Sequence, residues 1–123
     1  MNFLKSKCLV ARPNLIDNTF KRSVVYIFDY SNVGIAGLIL NKRQNLNTHL
    51  LCHNRGFDTQ VPNESVYMGG PVSTNSVCML HTGDWRSSNT LQVNNQISVS
   101  SDDMMFHKYT HGDTARYYRW FTG

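Results

Sequence analysis

Cys78 and His81 stand three residues apart in the segment VYMGGPVSTNSVCMLH (66–81), a thiol and an imidazole of the kind that together make an activated nucleophile. The segment reads as strand, however, and strand residues three apart point to opposite faces, so these two do not pair locally. Ser23 and Ser76 offer hydroxyls, but no Gly-x-Ser-x-Gly elbow surrounds either. His49, Cys52 and His53 fall within five residues, and His107 and His111 are four apart on a predicted helix, a spacing that would present two imidazoles to zinc. Neither group has the glutamate of His-Glu-x-x-His or a Cys-x-x-Cys companion, so no metal and no other cofactor is expected. The eight carboxylates are mostly scattered singly and give no general acid–base pair. No catalytic residue is assigned.

MGGPV (68–72) raises the question of a phosphate loop. Such a loop needs converging backbone amides, a lysine and a following helix. Here the glycines lead into Pro71, which has no N–H, and no lysine lies between Arg55 and Lys108. What remains is a tight corner joining two strands, with glycines where backbone passes close to backbone.

The elements that must position these residues follow from local pattern. KCLVARP (7–13) reads as a strand stopped by Pro13. RSVVYIFDY (22–30) and IAGLILN (35–41) read as a hairpin about the turn SNVG, with Val25, Ile27, Leu38 and Leu40 buried. NLNTHLLCHNRG (45–56) predicts a helix capped by Asn47 and stopped by Gly56, with Leu46, Leu50 and Leu51 on one side. ESVYMGG and NSVCMLH are two further strands, and TLQVNNQISVS is a second hairpin candidate. SSDDMMFHKYTHG (100–112) predicts a helix with a serine cap, acidic residues in its first turn and Gly112 as its stop. ARYYRWFTG (115–123) reads as an aromatic strand. The pattern is α+β: a single domain with a mixed or mainly antiparallel coiled sheet and two or three helices.

Composition bounds the rest. The 123 residues suit one domain, and 41% hydrophobic against 16% charged residues is a globular balance. VGIAGLIL, the longest apolar run, is too short to span a bilayer, and the N-terminus lacks the pattern of a signal peptide, so no membrane association is expected. Three cysteines, few and odd in number, suit a reducing compartment, and a cytoplasmic location is expected. The formal charge of +4 is uneven: residues 1–55 carry eight Lys and Arg against Asp17 and Asp29, a balance of +6, and the remainder carries −2. Lys21, Arg22, Lys42 and Arg43 form a candidate basic patch, so nucleic acid is a possible partner.

Several ordered motifs carry a family resemblance. They are Pro13, Asp17-x-x-Phe20, Arg22-Ser23-Val24-Val25-Tyr26, Gly34, Gly37-Leu38, Asn41, Gly69-Gly70-Pro71-Val72 and Leu80-His81. In this order they resemble the YqgE/AlgH family of small bacterial proteins. The chain departs from that pattern at Lys42-Arg43, where the family continues Arg-Pro. The family's C-terminal Gly-Tyr-x-Gly-Trp segment would begin near Gly123, and the short form resembles a phage-carried relative, which would act in host cytoplasm. The resemblance implies a compact AlgH-like fold with coiled mixed sheets. It also implies a non-enzymatic regulatory protein acting through protein contacts, with host transcription machinery as a partner; members are regarded as transcriptional regulators without an agreed activity.

The motif residues are expected to gather into a groove of Arg22, Ser23, Asn41, Gly69, Gly70, Pro71 and His81, which serves either as a structural cluster or as a binding site. An enzyme built on Arg22, Asn41 and His81 is the competing reading. The aromatic run at Tyr117, Trp120 and Phe121 is expected to lie on an uncovered sheet edge and to serve as an interface, with a homodimer as the simplest assembly.

Overall fold

β-branched and aromatic residues crowd positions 22–40, and they form the antiparallel pair β2 (Val24–Ser31) and β3 (Gly34–Ile39). The computed structural model that shows this describes residues 4–31, 34–71 and 75–123. Asn32 and Val33 of the expected turn, and Val72 to Thr74 of the segment after Pro71, lie outside the described residues. Val25 pairs with Ile39 and Tyr26 with Leu38, and a bulge interrupts the register between Ile27 and Asp29. β1 (Cys8–Val10) pairs with the other side of β2 and completes a three-stranded sheet.

The second sheet has six strands: β4 (Arg43–Asn47), β5 (Ser65–Met68), β6 (Val77–Thr82), β7 (Thr90–Gln92), β8 (Ile97–Ser100) and β9 (Tyr118–Thr122). Their order is β4-β5-β9-β6-β8-β7; β5 and β9 run parallel and every other pair is antiparallel. The strands flanking Gly-Gly-Pro, β5 and β6, belong to this one sheet with β9 between them. One expectation is corrected: β9 is an interior strand rather than an edge, paired through Trp120 to Val66 on one side and to Met79 on the other.

Side-chain alternation sorts the core into two layers. Val77, Met79 and Trp120 face one way, where α1 (Thr48–Asn54) supplies Leu51 and Cys52 and α2 (Asp103–Thr110) supplies Met105, Phe106 and Tyr109. The Phe106 and Tyr109 rings lie 5.2 and 5.0 Å from the Trp120 ring, close enough for aromatic contact beyond simple burial. Cys78, Leu80, Ile97 and Val99 face the other way and pack with Tyr26 and Phe28 of the three-stranded sheet. The layers therefore run helices, six-stranded sheet, three-stranded sheet. Fully burying side chains of this size contributes roughly 1.5–3 kcal/mol each.

The helix ends follow the sequence with one correction. Asn47 caps α1 by accepting from the Leu50 N–H at 2.9 Å, and Gly56 follows with φ +87°. The cap of α2 is Asp102 rather than a serine: its carboxylate accepts from Met105 N at 2.8 Å and from Asn89 N at 2.8 Å. Ser101 spends its hydroxyl on the Val77 carbonyl instead. Within α1 the buried residues are Thr48, Leu51 and Cys52, while Leu50 is exposed and Leu46 belongs to β4. Ile27 and Leu38 are buried as expected, but Val25 and Leu40 are only half-buried.

Gly69 joins the layers. Its carbonyl accepts from Ile39 N at 2.8 Å and its N–H donates to Thr122 O at 2.7 Å, so one residue ties the edge of β3 to β9. A β-carbon there would stand 2.7 Å from Leu38 Cδ2, inside contact distance. Gly70 lies against the backbone of Gly123, where φ is +98° and a side chain would run into Gly70. Of the paired glycines it is Gly69 that permits the close approach their sequence suggested, since a β-carbon at Gly70 would meet nothing nearer than 3.9 Å.

Candidate functional site

Beside Gly69 the two sheets part and leave an apolar cleft of about 650 Å³. One wall is β3, with every residue from Ile35 to Ile39 lining the space. The other includes Gly70, Pro71, Ser76 and Cys78. Phe20 enters from the connector after β1, and the sequence shows how. Asp17 Oδ1 accepts from Thr19 N and Phe20 N, each at 2.9 Å, and this turn carries Phe20 to the cleft. The Asp-x-x-Phe motif thus has a mechanical role that its spacing alone did not reveal.

The structure divides the expected groove. Asn41 and Arg22 do meet: Asn41 Nδ2 donates to the Arg22 carbonyl at 2.9 Å, and its Oδ1 accepts from Val24 N at 3.0 Å. These bonds hold the start of β2, just after Arg22, which sits in the left-handed region at φ +57°. Ser23 is buried, and its hydroxyl turns back to the Thr19 carbonyl at 3.4 Å. Gly69, Gly70 and Pro71 line the cleft, whereas Arg22, Ser23 and Asn41 are not among its lining residues.

His81 is in another place altogether. It is two residues beyond Met79, on the helix-side face of β6, while Cys78 and Leu80 face the three-stranded sheet. Its ring is buried, bonded through Nε2 to Ser100 Oγ at 2.7 Å and through Nδ1 to Thr82 O at 2.8 Å, with Trp85 edge-on at 4.9 Å. Desolvation holds its pKa below the ordinary imidazole value, against smaller opposing effects of the Thr82 bond and Asp84. The shared groove containing His81 is therefore corrected: strand alternation puts it across the six-stranded sheet from the cleft.

The expected aromatic interface is corrected as well. Trp120 and Phe121 are 1% and 0% exposed and already packed within the domain, so they are not free to meet a second copy. Tyr117 alone is open, at 65%. The basic patch is partly committed as well. Lys42 Nζ donates to the Asn18 and Thr19 carbonyls, and Arg43 Nε donates to the Tyr67 hydroxyl at 3.3 Å. Lys21 and the Arg22 side chain remain exposed.

Sequence reasoning missed most of the cleft, including Phe20, Ile35, Gly37 and Cys78 as lining residues. Cys78 is its one titratable side chain among the described residues, and burial pushes the thiol up to about 12. At neutral pH that sulfur is a protonated, weakly polar surface. The cleft is shaped to receive apolar groups and, among the described residues, offers no side chain poised for proton transfer or attack.

The similarity to known proteins matches this architecture. A family profile described as DUF179, AlgH-like, matches residues 8–123. The chain belongs to the AlgH-like family. A UPF0301 protein of Marinomonas sp. is 33% identical over 100 residues, covering 79% of this chain and 53% of the relative. One from Azoarcus sp. is 36% identical over 98 residues, covering 76% and 51%. The chain thus spans about half the length of these curated relatives. The solution structure of the AlgH protein from Pseudomonas aeruginosa superimposes with a TM-score of 0.80 at 23% identity, over 98% of this chain and 65% of that one. A Corynebacterium diphtheriae protein gives 0.73 at 20% identity, over 94% and 62%. Both likenesses establish the fold, a single α+β domain with mixed sheets. No helix among the described residues is long and apolar enough to cross a membrane.

Proposed function

We propose that this AlgH-like chain is a non-enzymatic regulatory protein, acting in the cytoplasm on transcription by holding another protein in the cleft between its two sheets. The observation that carries this reading is the chemistry of the lining. Apolar side chains and a strand edge surround the space, and the one titratable side chain among the described residues, Cys78, is kept protonated by burial. Pockets of a few hundred cubic ångströms with mainly apolar linings recognise apolar groups. The three free cysteines suit a reducing cytoplasm. Direct DNA binding is the less supported alternative, since two of the four clustered basic side chains already donate to groups within the protein.

A photo-reactive residue at Ile35, in the cleft wall, and separately at Leu50, on α1, tests the reading in cells that carry the gene. Adducts with a discrete polypeptide from position 35 and none from position 50 are expected. Adducts from neither position, or equally from both, would defeat it.

A further inference from the structure

Four strands stand at sheet edges: β1 and β3 in the three-stranded sheet, β4 and β7 in the six-stranded one. Exposed edges invite pairing with other chains, and proteins blunt them with charges, prolines or short length. β1 has three residues flanked by Lys7, Arg12 and Pro13, β4 begins with Arg43, and β7 has only three residues. β3, GIAGLI, has six residues with no charge and no proline. It alone of the four has none of these protections, and it forms the wall of the apolar cleft.

The register shows which backbone groups are free. Leu40 N donates to Val24 O at 2.8 Å, so the even-numbered residues turn their amides toward β2. Ile35, Gly37 and Ile39 then turn theirs outward. The Ile39 amide is taken by Gly69, and no described residue takes those of Ile35 and Gly37. Gly69 thus makes the first bond of a fourth strand position, and the rest of that position lies along the cleft.

We propose, resting on the protein-contact reading above, that this edge accepts an extended segment of a partner protein, which continues the pairing begun at Gly69. Alternate side chains of the segment enter the cleft, so they are apolar. The segment carries acidic residues at the end near Phe20, because Phe20 is followed by the exposed Lys21 and Arg22 and the lining contains no carboxylate side chain among the described residues. Main-chain bonds hold the strand, while the cleft selects its side chains.

The probe is a peptide of two glutamates followed by six residues alternating valine and threonine, with amide hydrogen exchange of the intact chain as the readout. Exchange at Ile35 and Gly37 should slow by at least about tenfold at saturating peptide, with no change in β1 or β7. A peptide N-methylated on the amides that would face β3 should give no protection. A version beginning with two lysines should bind several-fold more weakly at low salt. Ile35→Pro, which removes an outward N–H without touching the β2 ladder, should abolish binding and leave the unfolding midpoint in place. If that variant fails to fold, the methylated peptide decides alone. Equal protection by the plain and methylated peptides, or no protection by either, overturns the proposal. A partner cross-linked at position 35 that leaves both amides unprotected overturns strand pairing but not the protein-contact reading. Peptide protection without any cellular adduct does the reverse.

Discussion

Replacing Gly69 with alanine should cost far more than the same change at Gly70, although the two glycines are adjacent in sequence. At position 69 the new methyl would meet Leu38 Cδ2 at 2.7 Å and both Phe121 Cδ1 and the Thr122 carbonyl at 3.3 Å. Leu38 is 1% exposed, so relief requires it to leave its present packing and turn toward the cleft. Overpacking of this kind costs about 1–3 kcal/mol. At position 70 the nearest atom is the Gly123 carbonyl oxygen at 3.9 Å, an ordinary contact, and φ is not positive. Alanine there should be neutral within about 0.5 kcal/mol, or slightly stabilising through the unfolded chain. Urea unfolding of both variants provides the assay, with a midpoint loss of about 1 M for Gly69→Ala if m is near 1–3 kcal/mol/M. In a Leu38→Ala background the Gly69→Ala penalty should largely disappear, because the two sites share the contact. An equal cost at the two glycines, or additive behaviour of the pair at 38 and 69, would refute the claim that Gly69 is required by its approach to Leu38.

Arg22→Gly should raise stability by about 1 kcal/mol, because glycine relieves the left-handed backbone at φ +57°; denaturant titration checks it, and a loss would mean that the side chain makes a contribution of its own. The pH dependence should carry the signature of His81. Its folded pKa is depressed by burial below the usual 6.5, so the unfolded chain gains the proton first and stability falls as pH drops below that value. A thermal melt should therefore weaken between pH 7.5 and 5, and His81→Gln should flatten the slope in that window. Thiol labelling near neutral pH should modify the exposed Cys8 first. Raising Cys78 from 9.0 to about 12 cuts its thiolate fraction, and the greater nucleophilicity of that thiolate only partly compensates, leaving it roughly thirtyfold slower in a Cys8→Ser variant than an ordinary thiol.

What the sequence disclosed was local, and what it concealed was long-range. The β2–β3 hairpin was legible because β-branched and aromatic residues bracket a tight turn. Both helices were legible from their caps and glycine stops, apart from which residue caps α2. β4 was missed because Arg-Gln-Asn-Leu-Asn has neither alternation nor strand-favouring residues; it is held by β5, through bonds such as Met68 N to Lys42 O at 2.8 Å. The aromatic run of β9 was legible as a strand, but its parallel partner β5 lies some fifty residues earlier, and no local pattern states that pairing. Being buried on both faces made it look like an uncovered edge. The Gly-Gly pair advertised close approach, and the structure requires it at Gly69, against Leu38 and Thr122, and not at Gly70. His81 could not be assigned to a face until the sheet was built, since alternation gives relative sides and only packing says which side meets the helices.

The cleft wall at β3 is the surface proposed to meet a partner protein. Ile35 and Leu50 provide a matched pair, 56% and 47% exposed, one lining the cleft and the other on α1 in the helix layer. The most direct measurement is the amount of the partner, once identified by its adduct at position 35, that co-purifies with the intact chain carrying Ile35→Arg or Leu50→Arg and no photo-reactive residue, each compared with the unaltered protein at equal expression. At least a tenfold loss is expected for Ile35→Arg, which places a charge in the apolar cleft, and no loss for Leu50→Arg. Undiminished recovery with Ile35→Arg would contradict the proposal.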